Sequence, residues 1–136
     1  MAAGALVPCV MLPRFTTYAG KNLGFETMPV EVTGFKRLII NYWRGPLVPA
    51  ATGGTFTVSF QESTDGYTWA NMTGTIDGGA SGSLGGIAAG TLTAVAEHQV
   101  VADFTKRWFR MLTSIDNGGD VTLTCWAVGF LETRES

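Results

Sequence analysis

The chain has 136 residues, 46% hydrophobic and only 15% charged, with nine Lys and Arg against eleven Asp and Glu for a net charge of −2. The length suits one domain with its own core. The charge lies well under the globular norm of about 25%, so part of the surface is expected to be covered by a partner. Basic residues are scattered or paired, which excludes the positive stripe that direct nucleic-acid binding requires, and no apolar run approaches the roughly 20 residues of a membrane helix.

Residues 1–20 hold Pro8 and Pro13 and show no clean period, so they read as an extended N-terminal arm, apolar at Leu6, Val10, Leu12 and Phe15. The apolar start lacks the basic region of a signal peptide, and Pro8 interrupts it. Residues 21–136 are read as a single β-sandwich domain. Within it the strands come in order: a weak one inside Gly24–Val32, then Phe35–Arg44, rich in β-branched and aromatic residues and closed by Gly45-Pro46. Both faces of that second strand are apolar, Leu38, Ile40 and Tyr42 on one and Ile39 and Trp43 on the other. Thr55–Glu62 alternates cleanly, with Phe56, Val58 and Phe60 on its core side. A weak strand at Thr68–Met72 precedes Asp77–Gly90, which is nearly all Gly, Ala and Ser and is expected to be a flexible loop with little to pack. Thr91–Ala96 is weak; Gln99–Phe104, Arg107–Ser114 and Val121–Glu132 are strong. Asn117-Gly118 between the last two predicts a hairpin. No 11-residue window sustains helical spacing, and 18 glycines oppose long helices. The fold class that follows is all-β, an antiparallel jelly-roll-like β-sandwich with an extended N-terminal arm.

The last strand carries an oddity. Val121, Leu123, Cys125 and Ala127 make its core face, while the other face starts polar at Thr122 and Thr124 and turns apolar at Trp126, Val128 and Phe130. A half-exposed strand keeps its outer face polar. Either the arm or a loop of the same subunit covers these residues, or another subunit does. Together with Ile39, Trp43, Trp108 and the arm residues Leu6, Val10, Leu12 and Phe15, they form the candidate interface.

Catalytic arrangements are missing at the level of sequence. His98 is the one histidine and lacks evident partners for general-base work. Ser81 misses the G-x-S-x-G elbow at its last position. Glu62 and Asp65 flank a turn that accounts for Asp65, and Asp116, Asn117 and Asp120 read as a turn without the calcium loop's spacing. No phosphate-loop pattern occurs among the glycines of 78–90. Cys9 and Cys125 are too few for a disulfide scaffold or a zinc site; they read as buried thiols, with a bridge between the two ends as the alternative. No enzyme, cofactor or metal is expected.

A strand running into Ser63-Thr64-Asp65-Gly66-Tyr67-Thr68-Trp69, then Lys106-Arg107-Trp108-Phe109-Arg110-Met111 and a closing strand at Thr122–Glu132, resembles the second half of discoidin-type, galactose-binding-like jelly rolls. It is also similar to small β-sandwich structural proteins of tailed-phage virions, which carry the same S-x-D-G-x-x-W hairpin. The resemblance spans roughly residues 35–132. Discoidin-type ligand loops do not match residue by residue, so no sugar- or lipid-binding residue carries over.

The virion resemblance implies a non-enzymatic structural protein made in the host cytoplasm and mounted on the capsid surface. There it would serve as a decoration or cement subunit, a homotrimer contacting the major capsid protein. A tail, baseplate or head–tail connection component is the near alternative. From another class, a carbohydrate- or surface-binding module would use Trp69, Tyr67 or Tyr42 as a stacking platform.

Overall fold

A computed structural model of the chain describes residues 4–14, 17–21, 24–45, 55–88, 95–116 and 120–134, with the backbone alone at 19–21, 25, 55, 56, 88, 115, 116, 120 and 121. Phe15 and Asn117 therefore lie outside what the structure describes. The described residues form strands and no helix. The first seven are β1 (Leu6–Leu12), β2 (Thr17–Lys21), β3 (Gly24–Glu26), β4 (Val30–Glu31), β5 (Phe35–Arg44), β6 (Thr55–Ser63) and β7 (Ala70–Asn71). They are followed by β8 (Thr73–Ile76), β9 (Gly82–Ser83), β10 (Ile87–Ala88), β11 (Ala96–Asp103), β12 (Trp108–Asp116) and β13 (Asp120–Thr133).

Two antiparallel sheets pack as a sandwich. Sheet 1 runs β1-β13-β5-β11-β8-β9, with β2 on the early part of β13; sheet 2 runs β10-β6-β12-β3, with β4 on β12 and β7 on β6. The alternation legible in the sequence sets the inner faces. Leu38, Ile40 and Tyr42 of β5, Val100 and Ala102 of β11 and Leu123, Cys125 and Ala127 of β13 meet Val58 and Phe60 of β6 and Phe109 and Met111 of β12. Phe60 and Phe109 stack at 6.4 Å, and Tyr42 reaches across from sheet 1 to lie 6.3 Å from Phe60. Each large apolar side chain buried here contributes about 1.5–3 kcal/mol before chain entropy is subtracted. Arg44 also points inward and is fully buried, and burial lowers its pKa.

Three expectations change. The stretch read as an arm is, over Leu6–Leu12, an edge strand of sheet 1 paired with β13 from Leu6↔Glu132 to Leu12↔Ala127. Thr17–Lys21 continues along the same strand, from Thr17↔Thr124 to Lys21↔Asp120. Thr133 N–H donates to Ala5 O, so by the alternation of an antiparallel ladder Pro8 falls at a position whose nitrogen faces away from β13. Its missing N–H costs nothing there and blunts the edge. The bulge between Val10 and Leu12 resets the parity, which is why Cys9 and Leu12, three apart, are both buried. Leu12 is thus a core residue and leaves the candidate interface.

Asn117 and Gly118 lie outside the described residues, but the two strands they were expected to join as a hairpin do not pair. β12 pairs with β3, β4 and β6, whereas β13 pairs with β1, β2 and β5 in the other sheet. The four steps from Asp116 to Asp120 reach about 13 Å, enough to cross the roughly 10 Å between sheets. Both strands have an apolar inner face, and facing each other across the core buries both.

Finally, the Gly-rich segment has something to pack. Leu84 and Ile87 are 1% and 9% exposed, and Leu84 is strapped by its N–H to Met72 O (2.8 Å) and by its carbonyl from Phe60 N–H (3.0 Å). The small residues around it let the backbone come close: a Cβ at Gly74 would sit 3.0 Å from the Leu84 side chain and 2.4 Å from Val101 O. Asp77 and Gly78, both at positive φ, make the tight turn that opens the segment.

Candidate interaction face

Register turns the odd face of β13 into a surface. Reading across sheet 1, one outward row is Pro8, Phe130, Ile39, Val101 and Thr75. The next is Val10, Val128, Asn41 and Gln99, and the one beyond places Trp126 opposite Trp43 and Glu97. The two indoles stack, with ring centres 6.1 Å apart and planes 12° from parallel, and the Arg14 guanidinium lies 4.3 Å above Trp126. Leu6, Val10 and Phe130 remain 52%, 61% and 43% exposed, while Ile39, Trp43, Trp126 and Val128 are half-buried by their own neighbours. Among the described residues, Arg14 lies over Trp126. Of the stretch read as an arm, Leu6–Leu12 and Thr17–Lys21 lie beside β13 in the sheet, and Arg14 reaches across its face.

The patch has a charged border. In the row beyond Phe130, Leu6 leads into Glu132, Arg37 and Asp103, where Arg37 Nε donates to Asp103 Oδ1 at 2.9 Å and Nη1 lies 3.5 Å from Glu132. On the other flank the apolar surface continues round the β1 edge into a groove of about 400 Å³ lined by Val10, Met11, Tyr18, Met28 and Val30 among others. Met28, 85% exposed, is part of this surface and gave no signal in sequence, because it stands between two very short strands.

Trp108 does not join the patch. It opens β12 on the outer face of sheet 2, on the far side of the sandwich, with Arg107 5.4 Å over its ring. Around Trp69 that face is polar and satisfied within itself. Arg110 donates to Gln61 Oε1 (3.1 and 2.9 Å) and to Glu26 (2.8 Å) while lying 4.2 Å over Trp69.

The remaining sequence candidates hold structure together. His98 Nδ1 is 2.7 Å from Asp77 Oδ2, and Asp77 Oδ1 accepts the Gln99 N–H, a bond that, ahead of the one to His98, keeps the Asp77 carboxyl below its ordinary range. Glu62 accepts from the backbone and hydroxyl of Thr105, fixing the turn between β11 and β12. In the Ser63–Trp69 turn, Asp65 Oδ1 accepts from Thr68 N, Tyr67 N and Ser63 Oγ, which pulls its pKa down to about 2. Cys9 and Cys125 are free and buried, burial pushing the Cys125 thiol up to about 11. Cys9 sits opposite Gly129, four residues along β13 from Cys125, or about 13 Å, which is beyond disulfide reach. Among the described residues no group of three or more metal-ligating side chains occurs, and there is no helix long and apolar enough to cross a membrane.

Fold and surface together define a small β-sandwich with one apolar and one polar outer face. No known protein family, curated protein or solved structure matches the chain.

Proposed function

We propose that the chain is a non-enzymatic structural protein that works by docking the outer face of sheet 1 against other subunits. The observation that carries this reading is the unbroken apolar surface from Pro8 through Phe130 and Ile39 to Val101, adjoining Val10, Val128 and the Trp43–Trp126 stack. Aromatic residues and Arg are what interface centres concentrate, and Arg14 over Trp126 supplies both.

Magnitude favours several neighbours over one. Four strands at about 4.8 Å by three outward rows at about 6.8 Å cover roughly 400 Å² of flat sheet, short of the about 800 Å² per partner of a stable pairwise contact. A closed ring of copies seated on a larger lattice supplies the rest through repeated modest contacts. That arrangement suits the virion reading, supported by the S-x-D-G-x-x-W resemblance and the low charge: a capsid decoration or cement protein, as a trimer on the major capsid protein. A tail, baseplate or head–tail connection component would use the face in the same way.

Size-exclusion chromatography with light scattering on the full chain tests self-association. A trimer or larger species at micromolar concentration is expected, dissociated by Phe130→Asp; a wild-type monomer at that concentration overturns it.

A further inference from the structure

The turn between β6 and β7 and the start of β12 leave a second feature, on the side of the molecule away from the apolar face. Pro29, Asp65, Gly66, Tyr67 and Trp108 line an open cleft of about 280 Å³. We propose that this cleft binds a neutral saccharide, as the end of a chain or a single ring, and that it stays open when the outer face of sheet 1 is docked.

Three kinds of group converge there. Tyr67 is 90% exposed, although an aromatic ring is among the side chains most favoured for burial. The backbone beneath it is fixed, since its N–H and that of Thr68 both donate to Asp65 Oδ1 at 2.8 Å, and Ser63 Oγ accepts from Gly66 N at 2.9 Å. An apolar platform is therefore held out into water on a rigid mount. The half-buried Trp108 adds a second ring and an N–H donor. Gly66, at φ +82°, takes a conformation that side chains resist, and a Cβ there would stand 3.9 Å from the indole Nε1. Asp65 stays ionised across the neutral range; its three hydrogen bonds all use Oδ1, leaving Oδ2 to accept from hydroxyl groups.

Charge narrows the ligand. An anion would meet the Asp65 carboxylate. A cation would find the Trp108 ring already occupied by Arg107, which lies 5.4 Å over it and is tied to Glu31 at 3.4 Å. A neutral ring with C–H groups on one face and hydroxyls at its rim matches stacking platform, donor and acceptor together. The cleft lies just below the size of drug-sized pockets, which fits a single ring better than a long chain.

The site is tested by saturation-transfer NMR on the full chain with methyl glycosides of glucose, galactose and N-acetylglucosamine at tens of millimolar, and with choline as the cationic probe. Transfer to the ring protons of at least one glycoside and none to choline is expected. Tyr67→Ala, at an exposed position that leaves the fold intact, weakens that binding about tenfold or more, and Tyr67→Phe retains it. Absence of transfer to all three glycosides, binding of choline in their place, or equal binding by Tyr67→Ala overturns the proposal. Repeating the titration on Phe130→Asp separates this site from the assembly reading, since the glycoside response is unchanged there whatever the oligomeric state.

Discussion

The two outer faces of the sandwich spend the same residue types in opposite ways. On sheet 2, Trp69 lies under Arg110, whose guanidinium also bonds Gln61 and Glu26, so an indole and a cation are both consumed within the subunit. On sheet 1, Trp126 stacks on Trp43, and their neighbours along the strands are Val128, Phe130 and Ile39. What separates a quiet surface from a sticky one is thus the hydrogen-bonding capacity beside the ring. Gln61, Asn71, Ser59 and Glu26 provide it on one face; on the other, Thr75, Asn41, Gln99, Glu97 and the border ions share the surface with Val10, Val128, Phe130 and Ile39.

The contrast can be broken at its foundation. A Cβ at Gly129 would stand 2.0 Å from Ile39 O and 2.6 Å from Ile40 Cα, so Gly129→Ala must part β13 from β5. A loss of about 3 kcal/mol or more is expected in urea unfolding, the apolar face being lost with its sheet. Next in size is Phe130→Asp, which places a charge in the middle of the patch. Sedimentation velocity should show self-association weakened about thirtyfold or more, as for an interface centre worth over about 2 kcal/mol. Its melting temperature should stay near wild type, because Phe130 is 43% exposed already.

Arg110→Ala is the counterpart on the quiet face. It removes the bonds to Gln61 and Glu26 and uncovers Trp69. About 1–2 kcal/mol of stability should go, with oligomeric state unchanged in the same sedimentation assay. The smallest effect belongs to Asp65. Its folded pKa, about 2, is depressed below the ordinary 3.8, so the stabilisation is present above the unfolded value and lost as pH falls from about 4 through about 2. Thermal melts across that window should fall less steeply for Asp65→Asn than for wild type.

Much of the fold was legible because it depends on period. Phe35–Arg44 is a strand over the same residues as expected, and the two-sided apolar pattern of Leu38, Ile40 and Tyr42 against Ile39 and Trp43 is what divides core from outer face. The candidate face was readable to the same degree: Trp126, Val128 and Phe130 break the polar alternation of their strand. Trp108 shows the limit, since an aromatic between two arginines reads alike on either sheet. Leu12 shows another, because a single bulge turns a side chain from one face to the other.

The long strands Phe35–Arg44, Thr55–Ser63, Trp108–Asp116 and Asp120–Thr133, their inner faces and the excess of outward apolar side chains were determined by the sequence alone, through local alternation and composition. Which strands pair was decided only in three dimensions. An Asn-Gly turn is compatible with a hairpin and with a crossing between sheets, and the choice falls to whichever buries both inner faces. The same long-range economy laid Leu6–Leu12 along β13, set Leu84 into the core from a stretch of glycines, and brought Ile39, Trp43, Trp126 and Phe130 onto one surface from strands far apart in the chain.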